Sequence, residues 1–70
     1  MTKDYTITLE DSTGRTCRLA INGDCIDEAI AQGETLDLAR EAIENNAAEN
    51  AIARGEISRP CYTIADTFAN

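Results

Sequence analysis

The sequence predicts a small α+β domain: an antiparallel sheet, made of an N-terminal hairpin plus a C-terminal strand, with two or three helices on one face, in the order β-β-α-α-β. Apolar residues alternate with polar ones in two N-terminal segments, recur at helical spacing in the middle of the chain, and return with strand composition near the C-terminus. At 70 residues the chain is expected to form a single compact domain, residues 1–70, with a thin core and marginal stability.

The first two elements are predicted to be strands over residues 4–11 and 16–21, where side chains alternate between apolar and polar with a period of two. The shared apolar face would consist of Tyr5, Ile7, Leu9, Cys17, Leu19 and Ile21. The turn-forming run Ser-Thr-Gly-Arg lies between the two segments, so an antiparallel hairpin is expected.

A short helix is predicted next, with Asp24 as its N-cap and with Asp27 and Glu28 in its first turn, where the helix dipole favours anions. Gly33 is expected to end this helix. The alternative is that Asn22-Gly23 forms a tight hairpin turn into a further strand.

The second helix is expected to begin at Leu36, capped by Thr35, because apolar residues recur from there at helical spacing. The pattern weakens at Asn45-Asn46. Either the helix bends there, or another short helix runs over residues 47–54; in both cases Gly55 is the expected end.

Residues 61–65 have strand composition and are predicted to join the hairpin as a third strand, which a small sheet needs for stability. Phe68, in the tail that follows, is expected to fold back onto the core. Tyr5 and Tyr62 are both expected to pack in the core or on the sheet.

The residue types argue against an enzyme, and no catalytic residue, metal site or cofactor is predicted. The chain has no histidine, no CxxC pair and no glycine-rich phosphate loop. Its three cysteines (Cys17, Cys25 and Cys61) are an odd count, and no signal peptide is visible. We therefore expect three reduced, partly buried thiols in a cytoplasm.

The chain has thirteen acidic and six basic residues, which gives a net charge of −7. This charge disfavours direct binding to nucleic acid or to an anionic membrane and favours a basic protein partner. The candidate partner-binding residues are Glu34, Asp37, Glu41 and Glu44 in one group and Asp24, Asp27 and Glu28 in a second. The first group would span an arc of about 80° on one helix, where only Arg40 can offset it by pairing with Glu44. The alternatives are a solvated helix face for the first group and helix capping for the second.

Gln32-Gly33-Glu34-Thr35-Leu36, followed by Ala39, resembles the start of the long helix of HicB-type antitoxins, and residues 54–60 are similar to its exit. The resemblance covers about residues 32–60 and implies a hairpin before the helix, a strand after it and a small basic ribonuclease as partner. The Pro-containing turn of that family is absent here, and residues 25–33 add a helix-like insert.

A second resemblance is one of class. A small, acidic, histidine-free chain is similar to phage-encoded inhibitor proteins, including many anti-CRISPR proteins. That resemblance implies nucleic-acid mimicry, with carboxylates placed where phosphates would sit and a CRISPR effector as one such partner.

The first functional hypothesis is therefore a non-enzymatic acidic inhibitor that binds a basic, nucleic-acid-binding surface of a partner protein and blocks access of nucleic acid. The alternatives are a HicB-like antitoxin and an oligomerising structural module. The last would pair protomers through an exposed strand edge at residues 4–11 or 61–65. The sequence leaves the oligomeric state open.

Overall fold

The computed structural model describes residues 1–69; Asn70, the end of the expected tail, lies outside the described residues. The elements are β1 (Tyr5–Asp11), β2 (Thr16–Ile21), α1 (Gly23–Ala31), α2 (Leu36–Ala53) and β3 (Cys61–Asp66). The three strands form one antiparallel sheet in the order β2-β1-β3. The predicted α+β class, the β-β-α-α-β order and the third strand are confirmed.

Strand β1 lies in the centre of the sheet. It pairs with β2 from Tyr5↔Ile21 to Glu10↔Thr16. On its other side it pairs with β3 from Asp11↔Cys61 to Ile7↔Asp66, with a shift of register between Thr8 and Leu9. The expected exposed edge at residues 4–11 is therefore wrong, because both sides of β1 are hydrogen-bonded to neighbouring strands.

The core lies between one face of the sheet and the helices. The predicted apolar face is confirmed, since all six of its residues are buried. The helices and the following loop add Ile26, Ala39, Ala51 and Ile57. Alanine at the two α2 positions lets that helix pack closely against the core. Phe68 folds back as expected, with its ring edge-to-face against Tyr5 at 5.0 Å between centroids.

The start of α1 differs from the prediction. Asn22, not Asp24, is the N-cap: its side-chain oxygen accepts a hydrogen bond from the Asp24 amide at 2.8 Å. The helix begins earlier because the Asp4 carboxylate accepts the Gly23 amide at 2.8 Å and so supplies an acceptor for another free N–H of the first turn. Asp24 lies within that first turn.

Helix α2 is continuous over its 18 residues, so a separate short helix over residues 47–54 is wrong. Thr35 caps it as predicted, with its hydroxyl accepting the Leu38 amide at 3.2 Å. The pattern around Asn45-Asn46 weakens because this stretch faces solvent, while Ala51 is again buried.

Both helices end in the same way. Gly33 and Gly55 follow the last turns with φ of +106° and +76°, a region that residues with a side chain rarely adopt. In α2 the Gly55 amide donates to Ile52 and the Glu56 amide to Ala51, each at 3.0 Å, and equivalent bonds close α1. These are Schellman motifs, and they confirm both predicted helix ends.

Candidate functional site

The seven predicted partner-binding residues differ in exposure and in their hydrogen bonds within the chain. Five of them are exposed: Asp24, Glu28, Glu34, Asp37 and Glu41. The other two, Asp27 and Glu44, are half-buried and engaged by other groups of the chain. The two sets therefore differ in what they are free to bind.

Asp27 holds the N-terminal segment onto α1. Both of its carboxylate oxygens accept the Thr2 amide at 3.0 Å. Hydrogen bonding from Thr2 is the main cause that lowers the pKa of Asp27. This carboxylate is committed to the fold and is not free for a partner.

Glu44 belongs to a cluster that joins α2 to the C-terminal tail. Its carboxylate accepts the Tyr5 hydroxyl at 2.5 Å and the Arg40 Nε at 3.1 Å, so the expected Arg40–Glu44 pair is present. Arg40 also reaches the Asp66 carboxylate at 3.5 Å and stacks over the Phe68 ring at 3.9 Å from its centroid. Glu44 therefore holds the Arg40 guanidinium between the rings of Tyr5 and Phe68.

The protonation of this cluster is set by burial and by its own hydrogen bonds. Burial raises the pKa of Tyr5, and the hydrogen bond to the Glu44 carboxylate raises it further. Burial alone would lower the pKa of Arg40, but hydrogen bonding to Tyr5 and the charge of Glu44 leave it raised. Arg40 therefore stays protonated at neutral pH.

Glu34 does not share a helix with the other three acidic residues of its group. It precedes the N-cap Thr35, and its amide donates to the Ala29 carbonyl at the end of α1. The predicted stripe on α2 is therefore reduced to Asp37 and Glu41, which are exposed and one turn apart. Across residues 1–69, no ion pair involves either of them.

These two carboxylates lie along an open groove of about 710 Å³ between α2 and β3. Thr63 of β3 also lines the groove, and the buried side chains of Ile7 and Leu9 of β1 lie beneath it. The groove exists because α2 packs towards β2, at the other edge of the sheet, and leaves the side near β3 open. Sequence periodicity identifies the buried face of a helix but not its lateral position over a sheet, so this groove was missed.

A bidentate ion pair lies at the end of the groove near the start of β3. Arg59 Nη1 donates to Glu49 at 2.6 Å, and Nη2 contacts the second oxygen of the same carboxylate. The groove is thus lined by four carboxylates and two arginines: Asp37, Glu41, Glu44 and Glu49 carry negative charge, and Arg40 and Arg59 carry positive charge. Both arginines are already paired, so the free charge in the groove is negative.

Of the two tyrosines expected to pack in the core or on the sheet, Tyr5 is buried in the core, whereas Tyr62 lies on the sheet and is not buried. Its side chain is 55% exposed at the sheet edge, with its hydroxyl donating to the Glu10 carboxylate at 2.9 Å. Ile64 of the same strand is also exposed, at 49%. Strand β3 thus presents apolar surface to solvent.

One buried carboxylate was not singled out from the sequence. Asp11 is 2% exposed and accepts hydrogen bonds from the Thr13 hydroxyl and amide, the Arg15 amide and the Ser58 amide. The Thr13 hydroxyl is the main cause that lowers the pKa of Asp11 from 3.8 to about 2. The Asp11 carboxylate thus joins the hairpin turn to the loop after α2. An isolated Asp at the end of a strand gives no sequence signal for that role.

The three cysteines are free thiols. Cys17 is buried, and burial is the main cause that raises its pKa. In the part of the chain that the structure describes, no group of three or more His, Cys, Asp or Glu side chains is placed to hold a metal ion. None of the described helices is long and apolar enough to cross a bilayer.

Comparisons with protein-family models, with curated proteins and with solved structures return no match to this chain.

Proposed function

We propose that this protein is a non-enzymatic inhibitor that uses its acidic groove to bind a basic, nucleic-acid-binding surface of a partner protein and thereby blocks access of nucleic acid. The observation that carries the proposal is the pair Asp37 and Glu41, two exposed carboxylates one turn apart along the groove, neither of which forms an ion pair within residues 1–69.

Two features support a partner rather than a solvated face. Like charges one turn apart destabilise a helix slightly when nothing offsets them. The other carboxylates along the groove, Glu44 and Glu49, are each paired with an arginine, whereas Asp37 and Glu41 form no ion pair in the described part of the chain. A basic side chain from a partner would complete this arrangement, and the attraction would accelerate association at low ionic strength.

The test compares two variants that remove the same charge. D37N/E41Q neutralises the groove pair, and D24N/E28Q neutralises two exposed carboxylates of α1. Each tagged protein is incubated with bacterial lysate, washed and eluted in a salt gradient, and the captured partner is then assayed for binding to labelled DNA and RNA.

We expect the wild-type protein and D24N/E28Q to capture a basic partner and to displace its nucleic acid, and D37N/E41Q to lose both effects. Equal capture by all three proteins, or a captured partner that still binds nucleic acid normally, would contradict the proposal. Far-ultraviolet circular dichroism of both variants verifies that the fold is intact.

A HicB-like antitoxin is a second candidate, supported by the hairpin that precedes α2 and the strand that follows it. The same capture experiment separates the two. A small ribonuclease whose cleavage of RNA is blocked favours the antitoxin, whereas a nucleic-acid-binding protein without that activity favours the first proposal.

A further inference from the structure

Strand β3 has a free edge. In the described part of the chain it pairs with β1 on one side only, so half of its backbone N–H and C=O groups point away from the sheet. Its six residues include no lysine and no proline, and Asp66 is the only charged one. Natural edge strands often carry such residues to prevent pairing with other chains, and β3 has neither lysine nor proline.

The pairing of β1 with β3 is irregular in its middle, where the register shifts between Thr8 and Leu9. Such irregularities bend a strand and are frequent at sheet edges. Thr63 lies opposite Leu9, on the groove side of the sheet, and is a short residue. Thr63 is therefore too short to block the side chains of a strand added beside β3 from reaching the groove.

The charges along the groove decide which strand would fit. A strand added to β3 would lie about 4.8 Å from it, and every second side chain would face the helical side. Long basic side chains at those positions would extend over Thr63 towards the free carboxylates of Asp37 and Glu41. A second copy of this chain would instead bring another net charge of −7 to the same place.

We propose that the free edge of β3 binds an extended, basic segment of a partner protein by strand addition, with alternate lysine or arginine side chains directed into the groove beside Asp37 and Glu41. This inference rests on the proposed function for the basic character of the partner. It adds the binding mode, in which backbone hydrogen bonds provide affinity and the alternating side chains provide selectivity.

The probe for the test is a synthetic capped peptide, Lys-Val-Lys-Thr-Lys-Val-Lys, titrated into the full-length ¹⁵N-labelled protein. A control peptide carries glutamate in place of lysine. A second control carries N-methyl groups on alternate backbone nitrogens, which removes strand hydrogen bonds and keeps the charge. Backbone amide shifts and hydrogen exchange over residues 61–66 are recorded at low and moderate salt.

We expect the lysine peptide to shift the amides of residues 61–66 and of Asp37 and Glu41, and to slow exchange at the outer β3 amides by about tenfold or more. The glutamate peptide should not bind. N-methylation should weaken binding by about tenfold, because several strand hydrogen bonds are lost. If the outer amides of β3 already exchange slowly in the absence of peptide and sedimentation gives a dimeric mass, the edge is occupied by a second copy of the chain. That result would overturn the inference.

The variant D37N/E41Q separates the two proposals. If the lysine and N-methylated peptides bind the wild-type protein equally and both lose affinity for this variant, strand addition is wrong and the acidic groove stands. If the variant binds the lysine peptide as tightly as the wild-type protein does, both proposals are wrong.

Discussion

Removing the Arg40 side chain should destabilise the protein far more than removing that of Arg59, although each arginine is paired with a glutamate of α2. The Arg40–Glu44 pair is half-buried, and the Arg40 guanidinium also stacks on Phe68 and contacts Asp66. The Arg59–Glu49 pair is mostly exposed to solvent, where such pairs contribute little.

The magnitude for R40A follows from these contacts. A partly desolvated cation–π contact contributes about 1–2 kcal/mol, and a hydrogen bond to a charged group roughly 1.5 kcal/mol. Allowing for overlap between them, the loss should be about 2–3 kcal/mol. In a domain of this size each kcal/mol of lost stability lowers the melting temperature by about 4–8 °C, so the loss of 2–3 kcal/mol should lower it by about 8–24 °C. The total free energy of unfolding of such a domain is only roughly 3.5–10 kcal/mol.

The assay is urea denaturation of the wild-type protein, R40A and R59A, combined with hydrogen exchange of the tail. R40A should release Phe68 and accelerate exchange over residues 66–69, whereas R59A should leave the midpoint and the tail almost unchanged. If the two variants shift the midpoint equally, or if R40A leaves tail exchange unaltered, the reasoning about burial and stacking is refuted.

Substitutions at three further positions test other parts of the fold. I26A should cost about 3 kcal/mol in denaturation because Ile26 is fully buried, and I26V about 1 kcal/mol; equal costs would exclude a tightly packed site. G55A should lower the melting temperature by a few degrees because φ is +76° there, and an unchanged value would indicate a helix end without that strain. Because the folded-state pKa of Asp11 is about 2, below its usual 3.8, the stability it contributes is present above pH 4 and is lost as pH falls through about 2. D11N should be less stable than the wild type at pH 7, and the difference should shrink in acid; a constant difference across pH would contradict the buried carboxylate's role.

Much of the fold could be predicted because the signals are local. Alternation from Tyr5 to Ile21 identified both hairpin strands and their buried face, and the prediction of Thr35, Gly33 and Gly55 as helix boundaries followed from side-chain and backbone preferences. The start of α1 was predicted wrongly because Asn22 and Asp24 are both good N-cap residues. A contact between residues distant in sequence, Asp4 with Gly23, accompanies the earlier start.

The candidate site was predicted less well. Charge and helical spacing identified Asp37 and Glu41, but the same criteria also selected Asp27 and Glu44. Those two bind Thr2 and Tyr5, which are distant in sequence and reach them only through the fold. Spacing along a helix gives the direction of a side chain but not what lies opposite it.

By itself, the sequence determined the type and order of the secondary-structure elements, the apolar face of the hairpin and a strong negative charge, because these depend on residue type and on periods of two and 3.6 residues. Only the tertiary structure decided the order β2-β1-β3, which of the two candidate strands has a free edge, and the open groove beside α2. Strand order and the lateral position of a helix arise from packing many distant residues at once. No local pattern encodes that packing, and it determines which carboxylates stabilise the fold and which remain free.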